Sequence, residues 1–122
     1  MADIEELEQA IKAHAMWKSW LQLAIATGEI DTPVEILQKD DQCSFGSWLQ
    51  GPTLTATEKA SMHYEAVKIL HKEFHHVAAR VAALALNGEK GEAVRMLYDY
   101  GEFAVVSTML NRALNGWKND LK

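Results

Sequence analysis

The sequence predicts an all-α domain, an antiparallel four-helix-type bundle with a short extra helix that carries the cysteine. Three observations predict it. Apolar residues recur at three- and four-residue spacing over long stretches, no stretch reads as a strand, and Pro and Gly are sparse and sit between the periodic segments. With 122 residues, 48% hydrophobic and 24% charged, the chain has the size and composition of one globular domain, residues 1–122. It is long enough to bury a core without disulfides or metal.

The first helix is expected from about Asp3 to Thr27. Asp3 is a suitable N-cap, Glu5 and Glu6 favour the positive end of the helix dipole, and Gly28 is a stop signal. Ile4, Leu7, Ile11, His14, Trp17 or Lys18, Leu21 and Ile25 mark one face. Residues 28–42 read as a connector with one helical turn at Val34–Gln38. A connector of that length is unusual in a small bundle and often functional. Cys43–Leu49 reads as a short helix ended by Gly51-Pro52. Thr55 or Thr57 then caps a long helix reaching about Asn87, with Gly88 as its stop, and a last helix is expected from about Gly91 to Leu121 with Gly101 inside it. Ala78, Ala79, Ala82, Ala83 and Ala85 give one stretch a small-residue face, suited to a tight core or a dimer seam.

Net charge is −5 and acidic residues are spread along the chain. Nucleic-acid and anionic-membrane surfaces need clustered Lys and Arg, so neither partner is expected. No run approaches the roughly 20 apolar residues of a membrane span, and the acidic N-terminus has no signal-peptide pattern. One cysteine cannot form an internal disulfide and suits a reducing compartment, so a cytoplasmic location is expected.

Four residues carry the chemistry: His14, Cys43, His71 and His75. His71 and His75 are four apart and share a helix face. Three imidazoles and a thiolate make a full tetrahedral set for Zn2+. The residues alone leave another reading open, in which a paired histidine sits on a helix surface by chance and the cysteine is a small buried hydrophobe. His63 and His76 are further candidates. His76 points about 100° away from His75 on the helix and should not share a site.

The pattern His14-x-x-Trp17, then Cys43-x-Phe45-Gly46-x-Trp48-Leu49, then His71-x-x-x-His75 resembles the chemoreceptor zinc-binding (CZB) domain. The resemblance implies a helical bundle holding one zinc through His14, Cys43, His71 and His75. Members are usually fused to chemoreceptor signalling domains or diguanylate cyclases, respond to zinc or to oxidants such as hypochlorous acid, and are often homodimeric. This chain would then be a bacterial sensory module acting on such an output in cis or in trans.

A site closed by four protein ligands leaves no open position for substrate, so no enzyme is expected. The chemistry would lie in Cys43 as a redox-active thiolate. Trp17, Phe45 and Trp48 are expected to pack around the site. Gly46 is expected to let the short helix approach another helix closely. Glu65, Glu73, Asp40 and Asp41 are candidates to orient the imidazoles. Two rival classes remain. One is a helical interaction module without metal, anchored by its tryptophans. The other is a di-iron bundle, for which Glu73-x-x-His76 supplies only one of the two motifs required.

Overall fold

A computed structural model describes residues 2–122, the side chain of Gln42 excepted. Among these residues every regular element is helical: α1 Ile4–Thr27, α2 Val34–Leu37, a 3-10 turn at Asp40–Gln42, α3 Ser44–Gln50, α4 Ala56–Lys59, α5 Met62–Leu86, α6 Lys90–Leu97 and α7 Glu102–Asp120.

α1 begins and ends where its cap residues dictate. The Asp3 side chain accepts from the Glu5 N–H, and Gly28 takes the left-handed conformation (φ 74°) and returns its N–H to the Ala24 carbonyl. Leu7, Ala10, His14, Leu21, Ala24 and Ile25 are buried along one stripe. Trp17 is half-buried and Lys18 exposed, which settles the position the periodicity left open.

The two longest expected helices are each interrupted. The segment after Gly51-Pro52 does not run as one helix to Asn87. Thr55 caps only the single turn α4, in a reciprocal capping box with Glu58. Ser61 then adopts an extended backbone and caps α5, its hydroxyl accepting from the Tyr64 N–H at 3.1 Å. Two strong caps in series divide what periodicity reads as continuous. The last helix is likewise two. Between α6 and α7, Asp99 takes a positive φ of 55° and Gly101 is extended. A Cβ at Gly101 would lie 2.1 Å from the Arg95 carbonyl oxygen, so the tight passage between the helices requires glycine.

The bundle is built on α1, α5 and the α6–α7 arm. Trp117 near the end of α7 meets Tyr64 near the start of α5, while Phe103 near the start of α7 meets Phe74 further along α5. These helices are therefore antiparallel. By contrast, the Ala2 N–H donates to Glu58 just ahead of α5, and His14 meets His71 further along it, so α1 and α5 run the same way. The chain must return roughly the 36 Å length of α1 before α5 can begin, which explains the long segment between them. Ala78, Ala79, Ala82 and Ala85 are buried inside this bundle, so these alanines serve the chain's own core.

Candidate metal centre

The bundle brings His14 from α1, Cys43 from the N-terminus of α3, and His71 and His75 from α5 into one cluster. Each offers a ligand atom, and these four atoms lie within 4.8 Å of one another. His71 Nε2 is 3.1 Å from His75 Nε2 and 3.3 Å from Cys43 Sγ. Donors bound tetrahedrally at zinc distances stand roughly 3.3 Å apart for two nitrogens and roughly 3.5 Å for nitrogen and sulfur. The closest approaches in the cluster therefore resemble the edges of such a tetrahedron.

Backbone carbonyls orient two of the imidazoles. His14 Nδ1–H donates to the Ala10 carbonyl at 2.7 Å and His75 Nδ1–H to the Leu37 carbonyl at 2.9 Å. Each bond commits the proton to Nδ1 and leaves Nε2 as a lone pair. Among the described residues His71 Nδ1 is buried without a partner, a cost of about 1–3 kcal/mol. Backbone oxygens, rather than Glu65, Glu73 or Asp40, perform this orientation. Glu65 and Glu73 are exposed, and Asp40 Oδ2 accepts from Gln50. Asp40 acts on the site through its charge, which pulls the His75 pKa upward against the larger effect of burial.

Burial keeps all three imidazoles neutral, the form that binds metal. It lowers His14 to about 4 and, with the neighbouring His75 and His14, lowers His71 to about 2. His75 is also lowered, burial again being the leading cause. The Cys43 thiol moves the other way. Burial raises its pKa, against the N–H of Gly46 that lies 3.3 Å from the sulfur. A neutral thiol beside neutral imidazoles becomes a thiolate readily only if a cation joins them. The donor set thus fits a divalent metal of zinc's preferences.

Cys43 is both a member of the cluster and the N-cap of α3. Its position depends on Gly46, which allows the close approach the sequence suggested, here to the short 3-10 element. A Cβ at Gly46 would lie 1.7 Å from the Asp40 carbonyl oxygen. The glycine therefore lets α3 seat against the backbone of the 3-10 turn. Phe45 sets its ring edge-on to His14 and His71, with centroids 5.8 and 5.1 Å away, and Trp17 sits 5.1 Å from His75. Trp48 stacks on Phe45 and reaches Trp117, so it braces the wall of the site from behind.

Comparison with protein-family models finds one described as the chemoreceptor zinc-binding domain, CZB, matching residues 14–82, more than half of the chain and all four clustered residues. The chain belongs to the CZB family. Comparison with curated proteins and with solved structures finds no match. The CZB match ends within α5, so α6 and α7 lie outside it.

Some of this CZB site had no counterpart in the sequence reading. Phe74 is fully buried and packs edge-on to His14, with Trp17 and His75 nearby. Its position three residues after His71, on the same helix face, was the available signal. The residues left outside agree with the helical geometry. His76 and Glu73 are exposed, which removes the single Glu-x-x-His motif from the interior. His63 stands 3.6 Å from Asp120, away from the cluster. No helix among the described residues is long and apolar enough to cross a membrane.

Proposed function

We propose that the chain is a single regulatory domain that holds one zinc ion through His14, Cys43, His71 and His75, and that Cys43 is its redox-responsive ligand. The convergence of four donor atoms from three separate elements carries this reading. The neutral imidazoles, the carbonyl-fixed tautomers and the family membership support it. The output would be a chemoreceptor signalling domain or a diguanylate cyclase, in cis or in trans, with the domain acting as a homodimer in the cytoplasm. These expectations follow the family resemblance.

Bound zinc would keep Cys43 as the thiolate, the species that oxidants attack. With hypochlorous acid, the sulfur gives up two electrons and takes the oxidant's oxygen as S–O–H, and the chlorine leaves as chloride. Sulfenic acid is a weaker ligand than thiolate. The same atom caps α3 by accepting from Gly46, so its oxidation loosens a ligand and a helix end together. α3 and the adjoining 3-10 turn are then the element free to move, and a partner would read that movement.

A second reading is favoured by the bond from His75 to the Leu37 carbonyl. Metal binding would fix the His75 ring and with it the connector, making the domain a sensor of zinc itself. Cys43→Ser separates the two readings. The experiment treats zinc-loaded wild type and variant with hypochlorous acid and follows both zinc release and exposure of α3 to protease. Release and exposure in the wild type only would support the redox switch. Equal responses in both would refute it. No zinc bound in either would leave a helical interaction module.

A further inference from the structure

A cavity touches the cluster from outside. It is a groove of about 280 Å³ between α1 and α7, and His14 forms part of its wall. His14 is 7% exposed, against 0% for His71 and 2% for His75, so it is the imidazole within reach of solvent. Small side chains, Ala15 and Ser107, line the groove together with Asn111. Lys18, one turn beyond His14, is the one charged side chain on its wall, in a chain of net charge −5. The Lys18 ammonium lies 4.8 Å from the centre of the Tyr98 ring, which helps to fix its position.

We infer that this groove binds small anionic chelating ligands and is the route by which metal enters and leaves the site. The inference rests on the zinc reading above. A polycarboxylate entering the groove meets the Lys18 charge and then His14, ahead of either other imidazole. Its lone pair can take the place of the His14 nitrogen without any change in the metal's oxidation state. Cys43 joins the cluster from α3, so exchange through the groove and oxidation of the thiol would use different approaches.

The test follows zinc loss from the zinc-loaded full chain with two chelators, anionic EDTA and neutral 1,10-phenanthroline. The variants are Ala15→Trp and Ser107→Trp, which narrow the groove, and Lys18→Glu. Ala15 and Lys18 are exposed and Ser107 half-buried, so folding should survive and circular dichroism verifies it. The tryptophan variants should slow loss to both chelators severalfold. Lys18→Glu should slow loss to EDTA by about tenfold at low salt, less at high salt, and leave phenanthroline unaffected. Rates independent of chelator concentration, or equal across all variants, would overturn the groove while leaving the zinc site standing. A wild-type chain that retains no zinc would overturn both.

Discussion

His75 Nδ1 lies 2.9 Å from the carbonyl oxygen of Leu37, a residue 38 positions earlier in the chain. Through this bond the middle of α5 grips the connector, and Cys43 provides a second hold a few residues later. The segment from α2 through α3 is thus fastened at two points that both belong to the cluster. The bundle core of α1, α5 and α7, away from the cluster, buries Leu21, Val81, Phe103 and Leu110 nearly completely. Zinc removal should therefore raise amide hydrogen exchange across residues 34–50 while the centres of α5 and α7 stay protected. Hydrogen-exchange mass spectrometry of chelated and zinc-loaded protein checks this. Uniform loss of protection would show instead that the metal holds the whole fold.

Gly46 and Gly101 both sit where a neighbouring backbone carbonyl leaves no room for a Cβ, and of this pair Gly46 serves the site. Gly46→Ala would drive a Cβ into the Asp40 carbonyl and push α3, with Cys43, off its turn. Gly101→Ala would do the same to the passage between α6 and α7, where its Cβ would meet the Arg95 carbonyl. Each should cost about 1–3 kcal/mol or more by overpacking. Gly46→Ala should also weaken zinc binding, whereas Gly101→Ala should leave zinc content unchanged. Urea denaturation and elemental analysis of the two variants measure both effects.

How far the sequence revealed this molecule depends on where the signal resides. His71 and His75 are legible because a helix turns four residues into one face, and Cys43 with Phe45, Gly46 and Trp48 forms a recognisable string. The carbonyls of Ala10 and Leu37 are not legible, because a backbone oxygen leaves no mark on residue identity. Carboxylates were the natural candidates for their role, and Glu65 and Glu73 face solvent instead. The helix breaks at Ser61 and Gly101 were hidden because apolar periodicity continues on both sides. At Ser61 a side-chain cap won over helix continuation, and at Gly101 a close backbone approach did. The direction of α1 relative to α5 lay in the connector length, which sequence marked as unusual without saying why.

The Ser61 cap offers a measure of how much that break contributes. Its hydroxyl accepts the Tyr64 N–H at 3.1 Å, nearly three turns before His71. Ser61→Ala should destabilise the domain by about 1 kcal/mol and leave zinc stoichiometry intact. Chemical denaturation beside elemental analysis checks both. Wild-type stability in the variant would mean that packing alone sets the start of α5.

His14, Cys43, His71 and His75 are proposed to hold one zinc together. X-ray absorption at the zinc edge of protein purified without chelator tests it most directly. About one zinc per chain is expected, with three nitrogen ligands near 2.0 Å and one sulfur near 2.3 Å, and with loss of the sulfur shell in Cys43→Ser. A sulfur-free zinc environment in the wild type, or no stoichiometric zinc, would contradict it.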